Sequence, residues 1–254
     1  VPAPAAPLLD TRVRFRDAAA LAGLTLASGA VVLGAGLLSA TTFARDWPAP
    51  ERLALAVGPL AVLTPCLAPA LGAALLMRRG PRLGLRDLGL TRPNRFPVGL
   101  LLWVPLAVLS AMLSTGAALG LAALLRSGGL LGGEGGGSGG GSSSSASGLV
   151  ADLPLGPALA IALGTVLLFP LLEEVLFRGM LHGALSRSLA PWAAAVVSAL
   201  VFSAAHVTPL LMPYTLVLGL WLAWLHRRYE SILPGLVLHC CNNALVAAIA
   251  LAGL

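Results

Sequence analysis

Apolar runs of about 20 residues recur along nearly the whole of this chain, and a run of that length is what a helix needs to cross the hydrocarbon core of a bilayer. The 254 residues are 57% hydrophobic and 10% charged, which is far too apolar for a soluble core. The expected fold class is all-α: a polytopic transmembrane helical bundle. Windows between charges and turn residues give about seven spans, at 18–43, 53–77, 97–125, 156–186, 191–207, 212–226 and 232–253.

The formal charge of +6 comes from sixteen arginines and no lysine. These arginines sit beside apolar spans and form no basic face with interleaved aromatics, so nucleic acid is not an expected partner. With a cytoplasmic N-terminus, twelve of the sixteen arginines fall inside and only Arg45, Arg52 and Arg126 outside, as the positive-inside rule requires. The first span lacks a small-residue cleavage site and is followed by further spans, so it reads as a retained helix rather than a signal peptide. The absence of lysine suggests a GC-rich bacterial genome, hence the bacterial plasma membrane. Cys66, Cys240 and Cys241 have neither CxxC nor Cys/His ligand spacing and read as packing residues.

Residues 1–126 hold three spans. Residues 127–155 form a low-complexity connection containing GGEGGGSGGGSSSSASG, whose glycine and serine content cannot bury enough surface to order itself. Residues 156–254 hold four spans and all of the informative polar residues. Gly116 and Gly120 make one GxxxG, a motif for close helix packing that arises often by chance in glycine-rich segments. The basic stretch 78–97 is a topology determinant with some capacity for anionic lipid head groups.

Two adjacent carboxylates, Glu173 and Glu174, sit in the otherwise apolar run FPLLEEVLFRGM. An ionisable group at membrane depth costs roughly 2.5–3.5 kcal/mol even on the lenient insertion scale, so a pair of them needs a reason. On a helix Glu174 and Arg178 are neighbours, four apart, while Glu173 points about 100° away around the axis. The economical assignment makes Glu174 and Arg178 a buried ion pair and leaves Glu173 to face another span as the reactive carboxylate. His239 and Asn243 are again four apart, as are Phe202 and His206. At about 1.5 Å per residue from the inside edge, Glu173 lies at ~21 Å, His206 at ~22 Å and His239 to Asn243 at ~12–18 Å, overlapping depths. A base for water, a donor for developing oxyanion charge and walls that exclude bulk water are what a hydrolytic site needs.

EEVLFRG from Glu173, FSAAH from Phe202 and HCCNN from His239 resemble, in order, the EExxxR, FxxxH and HxxxN motifs of the CAAX-protease and bacteriocin-processing family. The resemblance covers roughly residues 156–254. It implies an intramembrane endopeptidase in which Glu173 and His206 activate water and His239 and Asn243 hold the oxyanion. Glu174, Arg178 and Phe202 then support the site. The implied substrate is a membrane-associated or prenylated-like protein or peptide; for a bacterial member, a peptide or membrane-anchored partner fits better than true CAAX trimming. The first three spans match no motif of the family, and the oligomeric state is not legible.

The sequence has no HExxH, yet Glu173, His206 and His239 are an acceptable donor set for one zinc or other divalent ion with a position open to water. Asn243 is a poor zinc ligand and a good oxyanion donor. Metal-assisted and metal-free hydrolysis both stay open. Two rival functions remain: a catalytically silent membrane protein that binds and regulates a partner, and a proton-coupled transporter, for which the expected internal repeat is not visible. His182 reads as a packing residue, His226 as an interfacial one, and Trp221 and Trp224 as part of an aromatic belt.

Overall fold

The computed structural model describes residues 13–48, 51–52, 55–56, 59, 63–67, 84–94, 98–127, 155–206, 209 and 211–251. Among these the regular structure is helical throughout. The expected span at 53–77 lies mostly outside the described residues, and of the low-complexity connection 127–155 only its two end residues, Ser127 and Leu155, are described.

The first helix, α1, runs Phe15–Thr42, and α2 runs Leu100–Ser127. A helical stretch from Leu155 to Leu185 follows. It is built of α3 (Leu155–Leu163), a wide turn Gly164–Leu168, α4 (Phe169–Glu173), a second wide segment Glu174–His182, and α5 (Gly183–Leu185). In the wide segments the chain takes i→i+5 hydrogen bonds. Then come α6 (Pro191–Ala205), α7 (Met212–Tyr229) and α8 (Leu233–Leu251). Three helical stretches, Phe15–Thr42, Leu100–Leu121 and Ala158–Leu185, are long and apolar enough to cross a membrane, and Pro191–Ala205 and Leu233–Ile249 are shorter apolar helices. Large apolar side chains such as Leu26, Val31, Leu101 and Leu113 stand exposed on α1 and α2. Surface of this kind needs lipid around it, and the chain is an integral membrane protein.

One apolar core joins the early and late helices. Val13, Ala18 and Leu21 from the N-terminal end, and Ala107 and Ala111 from α2, pack with Phe177, Met180, Phe202, Leu222 and Leu238. Trp103 on α2 meets Trp221 and Trp224 on α7 with ring centroids 6.1 and 5.2 Å apart, and the Trp221 indole N–H donates to Ser110 Oγ. These tryptophans therefore knit two helices together. Gly116 and Gly120 have nothing within 4 Å of a notional Cβ, so the GxxxG does not mark close packing among the described residues. Cys66 and Cys241 lie exposed and Cys240 half-buried, all as free thiols; for the first two, a packing role is not what the structure gives.

Residues 84–94 form a strap across the end of the bundle where α7 turns into α8. Glu230, at φ 52°, closes α7 in the left-handed region, and the chain reverses through Ser231 and Ile232. The exposed main chain of that reversal is satisfied by the strap. Asn94 N–H donates to Tyr229 O, Thr91 Oγ1 to Glu230 O, Ile232 N–H to Gly89 O and Ser231 Oγ to Thr91 O. Gly89, at φ 73°, and Gly179 allow backbone to approach backbone here, since a Cβ on Gly179 would land on the Leu88 carbonyl. His226 is buried beneath the strap, 1% exposed, with its ring edge-to-face on His182 at 5.4 Å. It is a core residue and not an interfacial one, because the strap covers the end of α7 that the sequence leaves open.

Candidate active site

The site begins with a proline. Pro170 lies in the interior of the long helical stretch, where it has no N–H to give and its ring crowds the preceding turn. The helix accommodates it by widening: Phe169 N–H reaches back to Gly164 O, five residues away. In that register the N–H that would serve the Thr165 carbonyl belongs to Pro170, which has none. A second wide segment starts directly after Glu173. Both carboxylates thus stand at the junction between a short α-helical segment and a π-type one, the kind of irregularity that often marks a functional site.

Glu174 is fully buried, and Arg178 Nη1 donates to its Oε1 at 3.0 Å. The same guanidinium reaches Gly219 O on α7 at 3.4 Å and stacks over the Phe202 ring, 4.2 Å from its centroid. His239 on α8 closes the group. Its Nδ1 lies 3.1 Å from Glu174 Oε1, and its Nε2 lies 3.5 Å from Glu173 Oε2. A carboxylate held by arginine is an acceptor only, so His239 Nδ1 carries a proton. Its Nε2 then faces the second carboxylate, and that contact is attractive when a further proton lies between them. At 3.5 Å the contact is too long for a strong hydrogen bond. The Glu173 side chain is 26% exposed while Glu174 is closed off, so the two carboxylates have different surroundings and different chemistry.

Phe202 is the hub. It is fully buried, with Phe177, His206 and His239 edge-on to it at centroid distances of 5.2, 4.7 and 5.8 Å. His206 ends α6, and its Nδ1 bonds the Phe202 carbonyl at 2.9 Å. A carbonyl only accepts, so Nδ1 is the protonated nitrogen and Nε2 keeps its lone pair. Among the described residues no hydrogen bond or ion pair links His206 to Glu173; the two imidazoles share the Phe202 ring instead.

The supposed metal set does not close. Among the described residues no group of three His, Cys, Asp or Glu side chains is placed to hold an ion. Glu173 and His239 adjoin, but His239 has its second nitrogen committed to Glu174, and the His206 and His239 rings both meet the Phe202 ring edge-on.

Asn243 lies one turn beyond His239 on α8, and its Nδ2 donates to the open Thr165 carbonyl at 2.9 Å. Its Oδ1 accepts from Asn242 Nδ2 at 3.2 Å, and Asn242 Oδ1 accepts from the Tyr214 hydroxyl. Sequence reasoning singled out Glu173, Glu174, Arg178, Phe202, His206, His239 and Asn243. It passed over Tyr214, Asn242, Thr165 and Gly219. Of these, Asn242 alone carried a signal, as the other half of an Asn-Asn pair inside an apolar helix.

Residues 155–245 match the family model described as type II CAAX prenyl endopeptidase, Rce1-like. No curated protein and no solved structure matches the chain.

Proposed function

We propose, from the match of residues 155–245 to the Rce1-like type II CAAX prenyl endopeptidase model, that the protein hydrolyses a peptide bond of a membrane-associated protein or peptide, with Glu173 as the base. The reading rests above all on one observation. Glu173, the more open of the two carboxylates, faces an imidazole whose far side is fixed by a fully buried Glu174–Arg178 pair.

In this mechanism Glu173 takes a proton from a water held between it and the basic Nε2 of His206 as the water attacks the scissile carbonyl. His239 Nε2–H and the free N–H of Asn243 receive the developing oxyanion. Collapse of the tetrahedral species breaks the C–N bond, and Glu173 returns its proton to the leaving amine. Glu174, held by Arg178, accepts the Nδ1–H of His239 and fixes the orientation of its ring; the Nε2–H that meets the oxyanion is the second proton of the imidazolium. Phe202 spaces the two imidazoles.

The substrate is a prenylated-like or otherwise membrane-anchored chain. In this reading the protein sits in a bacterial plasma membrane with its N-terminus in the cytoplasm, an orientation supported by the twelve arginines on that side. The test is cleavage of a farnesylated CAAX-type peptide and of a mixed peptide library by detergent-purified protein, with and without a strong zinc chelator. Cleavage that survives the chelator is expected; abolition by the chelator and recovery with zinc would overturn the metal-free step. Absence of cleavage of every peptide by folded protein would favour a silent binding partner.

A further inference from the structure

The chain of hydrogen bonds that ends on Asn243 has a direction, and the direction can be derived. The Thr165 carbonyl accepts only, and the wide turn before Pro170 has left it without its main-chain donor. Asn243 must therefore turn its NH2 toward Thr165 and its Oδ1 toward Asn242. Asn242 must then offer its own NH2 to Asn243, which leaves its Oδ1 for Tyr214, and the tyrosine must donate. No other arrangement of the two amides satisfies every contact. Asn242 is 3% exposed, so water is a poor substitute for the partners of that amide.

We propose that Tyr214 and Asn242 are positioning residues that lock the Asn243 carboxamide so that its second N–H points at the oxyanion. The proposal rests on the peptidase reading above. Tyr214 on α7 and Asn242 on α8 hold the oxygen end of the amide, while the Thr165 carbonyl holds one of its two N–H groups. The remaining N–H is left with one orientation before substrate arrives, which is the condition for a donor to favour the transition state without reorganising. Without the phenol or the neighbouring amide, the Thr165 carbonyl alone holds the Asn243 side chain, and the amide gains freedom to swing its remaining N–H away from the oxyanion.

The test is steady-state kinetics on the peptide the wild type cleaves, with the unfolding midpoint of each variant measured in the same detergent. Tyr214→Phe is expected to lower kcat by ~5-fold and Asn242→Ala by more, both with KM within about two-fold of wild type. In an Asn243→Ala background, which is itself slow by ~10²-fold, neither change is expected to have a further effect, because the donor they orient is gone. A Tyr214→Phe effect that persists undiminished in the Asn243→Ala background, or that follows the unfolding midpoint and not kcat, would overturn the proposal while the peptidase reading stands. So would wild-type kcat in Tyr214→Phe and Asn242→Ala when Asn243→Ala is slow. Wild-type kcat in Asn243→Ala, or absence of any cleavage, would instead overturn the role given to Asn243 and this proposal with it.

Discussion

At the scale of single residues, two glutamates one position apart have been given opposite surroundings. Glu174 is sealed with Arg178, and a buried pair broken by removing one partner leaves a charge with no compensation. Arg178→Met is therefore expected to destabilise the protein by ~3–5 kcal/mol, read as a lower unfolding midpoint, whereas adding Glu174→Gln to it should recover part of the loss. Glu173→Gln is expected to leave that midpoint nearly unchanged, since the side chain is partly exposed and its contact with His239 is long. Much of this was legible in the sequence, because spacing of four on a helix fixes Glu174 beside Arg178. That Glu174 would also receive His239 was not, since a contact across 65 positions has no local signal.

At the scale of elements, Pro170 and Gly179 decide how the carboxylate-bearing helix is shaped and seated. Gly179→Ala would put a methyl group on the Leu88 carbonyl; it is expected to cost ~1–3 kcal/mol and to loosen the strap, read as faster hydrogen exchange at Gly89 and Asn94. Pro170→Ala should act in the opposite sense. It restores an N–H, lets the helix return to a regular register and pairs the Thr165 carbonyl, so the expected outcome is unchanged or higher stability with lower kcat. A proline in an apolar run is visible in any sequence, but whether it kinks, widens or ends a helix depends on what packs against it. Six of the seven windows coincide with described helices, the window at 53–77 lying mostly outside the described residues, while the wide segments had no counterpart in periodicity. The burial of His226 has no local signal for a related cause: its cover, residues 84–94, lies far away in sequence.

At the scale of the whole molecule, the match to the family covers residues 155–245, yet the core does not stop there. Val13, Ala18 and Leu21 pack with Met180 and Phe177, Ala107 and Ala111 join the same cluster, and Ser114 Oγ donates to Pro213 O. We expect a chain restricted to residues 150–254 to be degraded or aggregated in membranes, and co-expression of residues 1–130 as a separate chain to restore a soluble, detergent-stable complex. Recovery of a stable, monodisperse 150–254 fragment alone would show that the early helices are dispensable. The sequence divided the chain at its low-complexity connection because composition changes there. Composition cannot reveal that helices on either side share one core.

The central claim is that Glu173 performs the hydrolysis while Glu174 and Arg178 hold its surroundings, and the most direct measurement is single-turnover cleavage of a membrane-anchored peptide by protein reconstituted in bilayers. Wild type, Glu173→Gln and His206→Ala would be compared at matched unfolding midpoints. The account predicts that Glu173→Gln lowers the rate by ~10²–10⁴-fold and His206→Ala by a similar factor, both with a wild-type midpoint. Cleavage by Glu173→Gln at a rate within a few-fold of wild type would contradict it.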